Sequence, residues 1–233
     1  MTWITAERLR DDLPLCDQWI ARMVRDSLDA LVAAPAEQLD ATTVLNGYQR
    51  AGGPQITERP AGGRWQEFED ATGERWSTSG CRPRAGWYDQ RNDRVWLDLN
   101  TCPGHKWRIR WHELGHSTGA PGRLGRTDFV ALQAGIDSWS VAAQLKNARE
   151  EITAECGAVL LGQATGTLTQ AHVDAAEDEL IAQAWTSPVA LDPDGLQQLL
   201  DASAADAAEA AGYVLEPTRE AIADAGRDIE AGA

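Results

Sequence analysis

His112-Glu113-Leu114-Gly115-His116 sets two imidazoles four residues apart, with a carboxylate beside the first. On a helix, residues i and i+4 lie on one face, one turn apart. Two imidazoles so placed can share one divalent cation, and zinc suits nitrogen ligands of this kind. Zinc lowers the pKa of a bound water to near neutrality. Glu113 can then take its proton as the oxygen attacks a carbonyl carbon. In a chain of this composition the pattern arises by chance at a rate of roughly 0.005 per sequence, so it is read as a site.

A zinc site of this type needs a third protein ligand. One class of zincin carries a further histidine six residues after the second, but that position here is Gly122. Two carboxylate sources remain. Glu151 and Glu155, in Glu151-Ile152-Thr153-Ala154-Glu155, are i and i+4 on the next long helix. One can bind the metal while the other accepts a hydrogen bond from a ligand imidazole. Glu151 is the expected ligand, with Glu155 as its partner or as an alternative ligand. Asp128, in Gly125-Arg126-Thr127-Asp128, is the other alternative. Thr127-Asp128 ahead of Phe129-Val130-Ala131-Leu132 also reads as a helix N-cap. His172 is a candidate oxyanion stabiliser, with a surface helix position as the plainer reading. Cys102-Pro103-Gly104-His105 has C-x-x-H spacing without a second half, and reads as the loop entering the active helix.

These side chains need elements to hold them. Trp107, Trp111, Leu114 and Thr118 form an apolar stripe behind the histidines, so residues 105–119 are predicted to be a helix with a packed back and a chemical front. Gly119-Ala120-Pro121-Gly122 ends it. Further helices are predicted over 138–164, 169–185 and 192–213, and at the N-terminus over 5–34 and 36–50. Pro14 is expected to break or restart the first. Residues 54–99 hold short runs, Arg64–Phe68, Arg75–Thr78, Gly86–Tyr88 and Arg94–Leu97, separated by turn signals. They predict a small antiparallel sheet whose tryptophans form its core. The expected fold is α+β: this sheet packed on the helix bearing His112, with further helices toward the C-terminus. Residues 1–50 are read as a helical segment, 54–215 as the main domain, and 216–233 as a frayed or disordered tail.

Composition narrows the partners. Hydrophobic residues make up 43% and charged residues 24% of 233, as in an ordinary globular chain. No apolar run approaches the roughly 18 residues that span a bilayer. The first residues lack the apolar core of a signal peptide, so a cytoplasmic location is expected. The four cysteines show no C-x-x-C pair and are expected to be reduced. Residues 167–233 carry 14 acidic and 2 basic side chains of a chain whose net charge is −15. Phosphate binding relies on Lys and Arg, so direct nucleic-acid binding is not expected.

Three segments together resemble the zincin-like metallopeptidase domain of ArdC-type antirestriction proteins and of phage and plasmid polyvalent proteins. They are His112 to Gly119, Arg123-Leu124-Gly125-Arg126, and Ala148-Arg149-Glu150-Glu151-Ile152-Thr153-Ala154-Glu155-Cys156-Gly157-Ala158. Trp87-Tyr88 and Asp93 to Leu97 resemble the strands ahead of that family's active helix, and Asp192 to Tyr213 its C-terminal helix. The resemblance spans about residues 54–215. It implies a gluzincin-type fold, a Zn2+ cofactor with Glu151 as third ligand, a protein or peptide substrate, and an origin on a phage or plasmid. ArdC-type proteins also carry an N-terminal domain that binds single-stranded DNA; residues 1–50 do not match it. The competing expectation is an antirestriction or DNA-associated binding protein that uses the same fold as a scaffold.

Overall fold

The computed structural model describes residues 6–33, 36–59, 86–98, 105–126 and 140–231. In chain order the elements are α1 (Ala6–Ala33), α2 (Ala41–Arg50), β1 (Gln55–Arg59), β2 (Gly86–Asp89) and β3 (Arg94–Asp98). They continue as α3 (Lys106–Thr118), α4 (Val141–Ala164), α5 (Gln170–Thr186) and α6 (Pro193–Ala231). The fold is α+β and mostly helical. Side chains cap the starts of α2, α4 and α5: Asp40, Ser140 and Thr169 accept from the N–H groups of Thr43, Ala143 and His172. Each such cap contributes about 1 kcal/mol. α1 runs past position 14 without the expected break.

The sheet is mixed, in the order β1-β3-β2. β2 and β3 form the expected antiparallel hairpin, with Trp87 opposite Trp96. β1 pairs with β3 in parallel, Ile56 opposite Val95, so the purely antiparallel expectation is corrected. Alternation along a strand reports which face is buried; it does not report the direction of the neighbouring strand. The predicted strands at 64–68 and 75–78 lie outside the described residues.

Two apolar clusters share α4. One joins Tyr88, Val95 and Leu97 of the sheet to Trp111 and Leu114 of α3 and to Val214 of α6. The other joins Ile20 and Val24 of α1 to Ile152 of α4, Leu180 of α5 and Leu196 of α6. Every residue of α4 from Ile152 to Val159 is buried, because the helix meets neighbours on all sides. Arg123 ties the sheet to the end of α3. Its guanidinium donates to Asp93 at 2.7 Å, to the Ser117 carbonyl at 2.8 Å and to the Gly52 carbonyl at 2.9 Å.

α6 corrects a second expectation. It continues as helix through residues 216–231, where a tail was expected. Val214, Leu215 and Thr218 are buried, and Thr218 packs where a Cβ on Gly47 of α2 would lie only 2.7 Å from its Oγ1. Beyond that contact, side chains from Glu220 to Arg227 are exposed. The helix runs on through Pro217, which removes one backbone hydrogen bond, and continues from the packed part of α6. Among the described residues, no helix is long and apolar enough to cross a membrane.

Candidate metal centre

α3 and α4 cross closely at a glycine. A Cβ on Gly115 would stand 3.1 Å from the Cα of Ala154 and 3.3 Å from its carbonyl oxygen. The missing side chain lets the backbones approach, and this brings Glu151 and Glu155 of α4 against His112 and His116 of α3. The back of α3 is fixed as expected: Trp111 and Leu114 are fully buried, and the Trp111 indole N–H donates to Thr167 Oγ1 at 3.0 Å.

His112 Nε2 and His116 Nε2 lie 3.0 Å apart. Each is 3.5 Å from Glu151 Oε2. Two ligand atoms about 2.0–2.1 Å from a tetrahedral zinc are about 3.3–3.4 Å apart, so the triangle fits that ion closely. Among the described residues, His112, His116 and Glu151 form the group that can hold a metal ion.

The ring nitrogens behind this triangle decide its chemistry. His112 Nδ1 is 2.9 Å from Glu155 Oε2, and His116 Nδ1 is 3.4 Å from Glu150 Oε1. An ionised carboxylate only accepts, so each ring donates from Nδ1 and turns Nε2 toward Glu151. Two ring nitrogens and a carboxylate oxygen then face one another, an arrangement that suits a proton or a metal cation.

Electrostatics agree. Burial favours neutral histidine, yet Glu151 and Glu150 outweigh it and raise His116 to about 9. His112 is likewise raised against its burial by Glu151 and Glu155. Burial would push Glu151 up, but His116 and His112 hold it well below the usual carboxylate range. In Glu155, too, the burial effect is overcome, by His112 and Arg108. Without metal, both rings hold a proton more firmly than a free imidazole does.

Glu113 stands apart from the triangle. It is buried, and burial raises its pKa, with His112 and His116 offsetting part of the rise. Its side chain packs against β2: a Cβ on Gly86 would come within 2.7 Å of Glu113 Cγ and 2.8 Å of Oε1. The Tyr88 backbone N–H donates to its carboxylate. β2 is an edge strand among the described residues.

Of the residues expected at the site, His112, His116 and Glu151 converge. Glu155 is engaged by His112 and by Arg108, whose Nε donates to it at 2.7 Å. Asp128 lies outside the described residues. His172 is buried rather than on the surface. Its ring stands 6.4 Å from that of His105, beside the end of α3 that is two turns, about 10 Å, from His112.

Sequence reasoning missed Glu150, Arg108 and Arg126. Arg126 donates to Glu150 at 3.2 Å, to the Gly115 carbonyl at 3.1 Å and to Thr118 Oγ1 at 2.8 Å. Arg108 had a usable signal, since it precedes His112 by four residues and shares its face. No match is found among protein-family models, curated proteins or solved structures.

Proposed function

We propose that the chain is a zinc-dependent metallopeptidase of gluzincin type that hydrolyses peptide bonds in a protein or peptide substrate. The observation that carries the reading is the triangle of His112, His116 and Glu151, with both imidazoles turned so that their Nε2 atoms face inward. The zinc, when bound, would polarise a substrate carbonyl and acidify a water. Glu113 takes a proton from the attacking water and delivers it to the leaving nitrogen as the C–N bond breaks. Burial raises its pKa, which makes it a stronger base than an exposed carboxylate. The net charge of −15 supports a protein partner over a nucleic acid.

The test is Glu113→Gln, which keeps shape and removes the base. The variant is expected to retain zinc and lose cleavage of a peptide library by about 10²–10⁴. Cleavage at the wild-type rate would overturn the peptidase reading. If the variant also still protected incoming DNA in a restricting host, a scaffold role would replace it.

A further inference from the structure

The two metal-facing imidazoles are braced by separate arms. His112 leans on Glu155, which is held by Arg108 from within α3 itself, and Arg108 reaches on to the Ala175 carbonyl of α5. His116 leans on Glu150, which is held by Arg126 from the loop that follows α3. The second arm is built into the end of the helix. Glu150 is buried and Arg126 is largely so, with side-chain exposures of 4% and 9%. Gly119 leaves room for it: a Cβ there would stand 3.2 Å from Glu150 Oε1 and 3.4 Å from the Arg126 guanidinium. The same guanidinium caps the last turn of α3 at Gly115 and Thr118, where the helix dipole favours a cation.

We propose that Arg126, acting through Glu150, is a positioning residue that fixes the tautomer and angle of the His116 ring and so sets metal affinity. The proposal rests on the metal-centre reading above. Burying a carboxylate and a guanidinium together adds little net stability on its own. Here the pair does a further job. Glu150 spends one oxygen on Arg126 and on His116 Nδ1 at once, so the position of the guanidinium is passed to the ring. Arg126 is kept in place by two contacts on the same helix that carries His116, which makes the arm a closed loop of hydrogen bonds through α3 and α4.

Glu150→Ala, Glu150→Gln and Arg126→Leu are to be compared with wild type for zinc affinity, by chelator competition, and for the visible spectrum of the cobalt-substituted protein. Loss of a carboxylate behind a ligand histidine costs about 10–100-fold in metal affinity. Glu150→Ala is expected to fall in that range and to shift the cobalt bands. Arg126→Leu should fall by less, with a shift in the same direction. Glu150→Gln should recover part of the loss, because its amide oxygen still accepts from Nδ1. Since Arg126 acts through Glu150, adding Arg126→Leu to Glu150→Ala should weaken zinc no further. A purely structural cap would lower thermal stability and leave affinity and spectrum unchanged, and that result overturns the proposal. If Glu150→Ala does not fold, the isosteric Glu150→Gln and Arg126→Leu decide by the same readouts; failure of all three to fold would assign the arm to stability and overturn it too. Wild type that binds no zinc, or His116→Ala that keeps stoichiometric zinc, would instead remove the metal-centre reading itself.

Discussion

Two histidine pairs stand at α3, one within it and one between its N-cap residue and α5, and only the first is equipped to hold a metal. The rings of His112 and His116 are 4.6 Å apart, and those of His105 and His172 are 6.4 Å apart. Behind the first pair stand Glu155 and Glu150, and in front stands Glu151. Behind the second, His105 Nδ1 is buried with no hydrogen-bond partner. Among the described residues, no third ligand completes that group. The difference lies in the carboxylates. A buried acid behind each ring fixes Nδ1 as the donor and frees Nε2 for a cation. A third acid in front completes the ligand set. Six consecutive residues of α4, from Glu150 to Glu155, supply all three acids.

The largest effect expected from this contrast is on metal content. Glu151→Ala and His116→Ala should each weaken zinc by about 10³-fold or more and leave no stoichiometric metal after dialysis, because two ligands remain where structural and catalytic sites use at least three. His172→Gln should keep stoichiometric zinc. Metal analysis of the purified proteins reads both. Zinc lost from the His172 variant would show that the second pair contributes to the site.

Next in size is the support of Glu113. Gly86→Ala puts a methyl group into the space now filled by Glu113 Cγ and Ile109 Cγ2, the latter only 2.5 Å away. Neither neighbour is the free end of a flexible chain, so the carboxylate must move. Displacing a general base is expected to lower peptide cleavage by about 10², with zinc affinity unchanged because no ligand moves. Equal losses of zinc and activity would mean that the strand supports the ligands as well as the base.

Proton linkage comes third. His116 is raised to about 9 against its burial by Glu151 and Glu150, whereas an unfolded histidine titrates near 6.5. The metal-free protein should therefore draw stability from this proton fully below about 6.5 and lose it as pH rises toward 9. Zinc displaces the proton, so apparent affinity should climb from pH 6 to about 9 and then level off. Calorimetric titration at pH 7 in buffers of different ionisation enthalpy should record proton release. No release would mean that the Nε2 atoms are already free of protons, and would remove the electrostatic part of the contrast between the pairs.

Much of this centre was legible in the sequence, for reasons that particular residues make clear. His112 and His116 follow from helical spacing, which also put Glu151 and Glu155 on one face with Glu151 as the expected ligand, and the period of 3.6 survives folding unchanged. Trp111 and Leu114 mark the buried back of α3 by the same logic. Glu150 was not legible. Adjacent helix positions diverge by about 100°, so a neighbour of Glu151 reads as facing elsewhere; it reaches His116 only because Gly115 lets α4 cross so near. The parallel pairing of β1 depends on the path of the chain between strands, which alternation does not encode. The helical end of α6 was missed because Ala, Gly and charge without apolar period look alike in a tail and in an exposed helix. Only the packing of Val214, Leu215 and Thr218 separates the two cases.

The smallest expected effect falls on the unequipped pair and sharpens its contrast with the first. α3 begins at His105 without a side-chain cap and with no acidic residue in its first turn. His105→Asp would place a negative charge at the positive end of the helix dipole and remove a ring nitrogen that has no partner. A charge so placed stabilises a helix by about 0.3–1 kcal/mol at low ionic strength. In a domain of this size that is a rise of roughly 1–4 °C in melting temperature. The backbone at His105 has ψ −7°, outside the extended range of a good N-cap, so the gain should come from charge alone and shrink in high salt. Thermal melts of the wild type and variant, at low and high salt and at a pH where the new carboxylate is ionised, read it directly. Zinc content should not change. Loss of zinc in His105→Asp would place both pairs in one metal centre and end the distinction drawn between them; a gain that persisted in high salt would point to relief of the buried nitrogen rather than to the dipole.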